Sequence, residues 1–195
     1  MLYKRGEIMD RLSTKLTNYI LLKGVIEEND FEIYQYGFQR FLELFINIMC
    51  SIIIAILLNM KLECIVFFLF FIPLRSYSGG FHMEHYLSCL FLSCLSLTGI
   101  LCIVKYFSAT LPLSCVLYFI SLAVIKIIGS VNHPNRSVDK EDNLFFNKRA
   151  NIILLASLII FAIFLLSNNT RYLFLEALVF TLMSVSLIIG KIQYS

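Results

Sequence analysis

Tryptophan is absent from this chain and charge is scarce: 15% of its 195 residues are Asp, Glu, Lys or Arg, where a soluble domain carries about 25%. Such a shortage excludes an ordinary water-facing globule. With three prolines and eight glycines, a collagenous or low-complexity tract is excluded as well. A net charge of +3 leaves no electrostatic footprint for nucleic acid. No CxxC pair and no Cys/His zinc spacing occurs, so neither a metal nor another cofactor is expected. Lys4, Arg5, Arg11 and Lys15 are not followed by an early apolar h-region, so no cleavable signal peptide is expected. What abounds is apolar: 59% of the residues, 18 of them Phe. That places the chain among membrane proteins.

The pattern predicts an all-α integral membrane protein, with about six transmembrane helices behind an amphipathic N-terminal helix. Over 7–23, Ile8, Leu12, Leu16, Tyr19 and Ile20 recur at helical spacing, with Asp10, Arg11, Thr14, Lys15 and Asn18 opposite. This reads as an interfacial helix with basic residues near anionic head groups, or else as a soluble helix packed on the membrane domain. Residues 1–37 form that appendage and 38–195 the membrane domain. An acidic break follows at Glu27–Glu32. The expected spans are Phe41–Leu58, Leu62–Leu74, Tyr86–Val104, Phe107–Ile128, Ile152–Leu166 and Tyr172–Gly190, with a polar loop over 129–151.

Leu62–Leu74 is short enough to be re-entrant, and charge decides against that. With six crossings and a cytoplasmic N-terminus, only Lys61, Lys105 and Arg171 fall outside, while every other Lys and Arg falls inside. A re-entrant run would send the basic 129–151 loop outside, against the positive-inside bias. The stretch 75–89 is therefore expected on the cytoplasmic side.

That stretch, RSYSGGFHMEHYLSC, is the chemical anomaly. Ionisable groups at membrane depth are costly and default to function. Cys50, Cys64, Cys94, Cys102 and Cys115 lie in apolar runs, where a thiol packs as a small hydrophobe. Cys89 differs, because it follows a polar cluster that holds bases and a cation. A thiol is a nucleophile as thiolate, which a neighbouring base or positive charge supplies. On one straight helix His85 sits a turn from Cys89, whereas His82 lies ~10 Å away along the axis. His82 becomes the better partner if the backbone bends, and Gly79–Gly80 gives that freedom. His82, Glu84, His85 and His133 also admit a metal reading, but the order is not H-E-x-x-H. A rival from another class is a non-catalytic peptide exporter or scaffold, for which Lys126 and Glu176 would line a polar path.

Arg75, Gly79, Gly80, His82 and Cys89 together spell Arg-x(4)-Gly-Gly-x-His-x(6)-Cys, after an amphipathic stretch and ahead of the loop HPNRSVDKEDNLFFNKR. In these features the chain resembles the AgrB family of Gram-positive quorum sensing, over most of its length. The resemblance implies a membrane-embedded cysteine endopeptidase acting on a small amphipathic propeptide of the AgrD type. It implies Cys89 as nucleophile and His82 as base and later acid, with Arg75, Gly79 and Gly80 supporting substrate or oxyanion. His85 matches no motif position. The product implied is a cyclic thiolactone or lactone, made at the cell membrane of a Gram-positive bacterium. The expected partners are the propeptide and the lipid bilayer, with a homodimer left open and no nucleic acid.

Overall fold

Apolar runs this long satisfy their backbone hydrogen bonds within themselves, so in hydrocarbon they fold as helices. The computed structural model describes residues 7–81, 86–129 and 140–194. Among them are seven α-helices: α1 (Glu7–Leu22), α2 (Phe31–Leu58), α3 (Lys61–Ser78), α4 (Tyr86–Tyr106), α5 (Leu111–Ile128), α6 (Lys140–Leu166) and α7 (Thr170–Tyr194). The expected acidic break becomes a single 3-10 turn over Glu28–Asp30, after which α2 starts at once. Five helices, all but α1 and α3, are long and apolar enough to cross a bilayer. The fold class read from the sequence is the one found.

Two boundaries differ from the sequence reading. The polar loop expected over 129–151 gives way at Lys140, from which α6 runs unbroken to Leu166. Charge marked this segment as loop, but it lacks Gly and Pro, so its backbone remains free to continue the helix. Residues 130–139 of that loop lie outside the described residues. The short run Leu62–Leu74 is part of a longer helix, α3, that carries Lys61, Glu63 and Arg75 near its ends.

The chain divides into two compact units. The first holds residues up to Ile54 together with the described residues up to Leu95, namely 86–95. In it α1 turns its hydroxyl face inward: Ser13 and Thr17 are buried, and Gln35 of α2 donates to Thr14 Oγ1 (2.9 Å) and Asp10 Oδ1 (3.2 Å). Leu12, Leu16 and Tyr19, the apolar stripe seen in the sequence, are left exposed. An interfacial helix has that arrangement, with its apolar face free for lipid.

The second unit comprises the described residues of 55–81 and from Ser96 onward. Its centre is α7, whose apolar window is 61% buried against 17–22% for the other candidate spans. A helix apolar on all sides is a buried one. Helices α3 and α7 run parallel: Glu63 pairs with Arg171 (2.6 Å), Phe70 meets Phe180 (centroids 6.1 Å) and Arg75 bonds Ser186 (2.8 Å). On α5, Ser114, Tyr118, Ser121 and Ile125 form the buried stripe. Tyr118 shares a hydrogen bond with Ser157 of α6 (2.8 Å) and stacks on Phe161 (4.1 Å), while Ser121 meets Thr181 of α7 (3.1 Å). Small and hydroxylated residues at such seams let helices approach closely where lipid supplies no hydrophobic drive.

The α3–α7 register has a consequence for topology. Its two pinned ends are fifteen residues of α7 apart, ~22 Å at 1.5 Å per residue, which is most of a hydrocarbon core. α3 therefore extends alongside α7, although by length and apolarity it is not among the five candidate spans, one fewer than the six expected. Arg171 and Lys105 line one cavity, and Lys105 donates to Leu58 O (2.9 Å) next to Lys61. The residues expected outside thus gather at one end of this unit, opposite Arg75.

Candidate functional site

The expected site residues fall in both units. Cys89, in the first, occupies the opening turn of α4 and is half-buried with a free thiol. One turn earlier the buried Tyr86 donates its hydroxyl to Glu43 O of α2 (3.2 Å). The Glu43 carboxylate is also buried and accepts from Gln39 Nε2 (3.0 Å) and Arg40 Nη1 (3.0 Å). This polar knot was not foreseen. Its signal was Gln39, Arg40 and Glu43 at i, i+1 and i+4 just where the first span begins.

In the second unit, Arg75, Gly79 and Gly80 come together at the end of α3. The helix stops at Ser78, Gly79 N–H donates to Arg75 O (3.2 Å), and Gly79 and Gly80 adopt φ values of 73° and 117°. Left-handed backbone of this kind is what glycine allows and side chains resist. The guanidinium of Arg75 folds over the turn: Nη1 donates to Gly79 O (3.0 Å) and Ser186 Oγ (2.8 Å), and Nη2 donates to Phe81 O. A planar fork can serve several acceptors at fixed angles, which an ammonium cannot.

The strap Gly79–Gly80–Phe81 also rests on α7. Phe81 N–H donates to Ser186 O (3.0 Å). A Cβ on Gly80 would run into Arg75 Nη1 and come within 2.8 Å of Ser186 Oγ; one on Gly190 would come within 2.9 Å of Gly80 C and Phe81 N. Neither glycine has room for a side chain. Ser186 and Gly190 were missed in the sequence, although Ser-x-x-x-Gly is a known signature of close backbone approach in membrane helices.

His82, which follows Phe81 directly, lies outside the described residues, as do Glu84, His85 and His133. The histidine–thiol pairing and the metal reading therefore fall on residues without a described position. The other five cysteines form no disulfide, Cys64 being buried and the rest half-buried, in the setting expected of packing residues.

The family model for Accessory gene regulator B, AgrB, matches residues 13–189. That span contains Arg75, Gly79, Gly80, His82, Cys89 and Ser186 and stops one residue short of Gly190. No curated protein and no solved structure matched the chain.

Proposed function

The chain belongs to the AgrB family, and from that premise we propose that it is a cysteine endopeptidase that cleaves and cyclises a signal propeptide. Membership makes it a multi-pass membrane protein of agr quorum-sensing propeptide processing. The finer reading rests on the motif Arg75, Gly79, Gly80, His82 and Cys89. The observation that carries it is the clasp of Arg75 on Gly79, Ser186 and Phe81, which fixes the chain at the residue before His82.

The chemistry follows from thioesters. Cys89, as thiolate, attacks the carbonyl carbon of the scissile peptide bond. The carbon–nitrogen bond breaks, and the departing amine of the C-terminal tail takes its proton from the His82 imidazolium. The N-terminal part of the propeptide is then held on Cys89 as an acyl-thioester. A thiol within the same peptide adds to that carbonyl and displaces Cys89, giving a thiolactone; a hydroxyl gives a lactone. Exchange between two thioesters is nearly balanced, so the protein's task is to exclude water and hold the attacking group close. Arg75 and the two glycines support the site by fixing the strap. The active site lies on the cytoplasmic face of a Gram-positive cell membrane in this reading; the side is supported by the excess of Lys and Arg at the Arg75 end, where Tyr77 meets Phe146 beside Lys148 and Arg149 of α6.

The test is propeptide cleavage by the protein in lipid, followed by gel. Cys89→Ser and, separately, His82→Ala are expected to abolish cleavage, and His85→Ala to retain it. Cleavage at the wild-type rate in both of the first two variants would sink the peptidase reading. Loss with His85→Ala and survival with His82→Ala would assign the base to the other histidine.

A further inference from the structure

We infer that Ser186 and Gly190 of α7 are positioning residues for the reaction, forming a seat that holds the strap before His82; this rests on the peptidase reading above. Neither belongs to the Arg-x(4)-Gly-Gly-x-His-x(6)-Cys motif, and both lie more than ninety residues downstream of its last residue.

Three features make the seat. The Ser186 hydroxyl accepts from Arg75 Nη1 (2.8 Å), giving the guanidinium an anchor on a second helix. The Ser186 carbonyl accepts from Phe81 N–H (3.0 Å), tying the strap's backbone to α7. In an α-helix the carbonyl of residue 186 points along the axis toward residue 190, so a side chain at 190 would cover it. Gly190 leaves it open, and the strap fills the space: a Cβ there would lie 2.9 Å from both Gly80 C and Phe81 N. These neighbours are backbone atoms, which cannot swing aside as a flexible side chain does.

The rest of α7 makes the seat firm. Leu187 and Met183, on either side of Ser186, are fully buried, so α7 is fixed where the strap lands. Arg75 alone would hold the turn only against its own helix. With Ser186 and Gly190, the position of Phe81, the residue before His82 in sequence, is set against the central helix of the unit. A general base displaced by about 1 Å can lose on the order of 10²-fold in rate, so the seat acts on turnover rather than on propeptide affinity.

The experiment compares kcat and KM for propeptide cleavage in full-length protein reconstituted in lipid. The variants are Ser186→Ala, Ser186→Thr, Gly190→Ala and Cys89→Ser, each checked for folding by thermal unfolding and gel filtration. Gly190→Ala is expected to lower kcat by on the order of 10²-fold with KM within about twofold. Ser186→Ala lowers kcat less, because the carbonyl bond to Phe81 survives, and Ser186→Thr, which restores a hydroxyl, recovers it. In an Arg75→Lys background Ser186→Ala adds little further loss, since the two act through one hydrogen bond. Inactive Cys89→Ser together with wild-type kcat in both Ser186→Ala and Gly190→Ala would overturn the seat and leave the peptidase standing. Wild-type cleavage by Cys89→Ser would instead overturn the peptidase. Should Gly190→Ala fail to fold, the Ser186 pair decides: equal kcat in the Ala and Thr variants and wild type contradicts the proposal.

Discussion

The Arg75 guanidinium serves three acceptors of its own chain, Gly79 O, Ser186 Oγ and Phe81 O. Lysine keeps the charge but offers a compact ammonium in place of the fork. Arg75→Lys is therefore expected to cut propeptide cleavage by on the order of tenfold or more while the protein still folds; unchanged cleavage would show that charge alone suffices. Gly80→Ala places a Cβ against Arg75 and Ser186 at φ 117° and is expected to abolish cleavage in the same assay. At this scale the motif was legible because its residue types are out of place beside a bilayer. The bend at Gly79–Gly80 followed from glycine's freedom. Ser186 was not legible as a partner of Arg75, since nothing local in the sequence pairs residues so far apart. Arg75 was expected to support substrate or oxyanion, and the described hydrogen bonds add a link to its own turn and to α7 that the sequence did not suggest.

Helix α7 carries a buried carboxyl that the site does not use. Glu176 is 0% exposed, and neither carboxyl oxygen finds a hydrogen-bond partner among the described residues. A buried polar group without a partner costs about 1–3 kcal/mol. Glu176→Leu is accordingly expected to raise thermal stability in lipid; a lowered melting temperature would show that the carboxyl is satisfied. Glu63 is the contrasting case, buried but paired with the half-exposed Arg171 (2.6 Å). Removing the arginine strands a buried carboxylate, whereas Glu63→Gln removes that charge, so Arg171→Ala is expected to lower the melting temperature more than Glu63→Gln. Element existence was read correctly because long apolar runs admit one solution in lipid. The start of α6 was not, because charge was taken as a sign of loop over a segment that nothing prevents from being helical. The end of α3 shows the same limit in reverse. Arg75, three residues short of its last helical position, reads as the end of an apolar run but is still inside the helix.

The whole molecule is organised by which end of each helix carries charge. In the second unit Lys105 and Arg171 lie at one end, while Tyr77 meets Phe146 (6.4 Å) and so brings Lys148 and Arg149 of α6 to the Arg75 end, which is the richer in basic residues, as the bias toward the cytoplasmic side requires. Cysteines placed singly at Lys61, Lys105 and Arg171, in a background without the native thiols, are expected to react with a membrane-impermeant reagent in intact cells. A cysteine at Ser76 is expected to be protected until the cells are opened. Labelling of Ser76→Cys together with Lys61→Cys from outside would make α3 re-entrant and reverse the side of the site. Charge counting made this much readable without coordinates. The parallel register of α3 and α7 was not readable, because it depends on which apolar faces meet. The central claim is that Cys89 carries the peptide during the reaction, and intact-protein mass spectrometry of enzyme mixed with propeptide and quenched in acid tests it most directly. The account predicts an adduct of the propeptide less its C-terminal tail, lost on hydroxylamine treatment, mapped to Cys89 and absent from Cys89→Ser. Release of the tail at the wild-type rate with no such adduct, or an adduct on another residue, would contradict it.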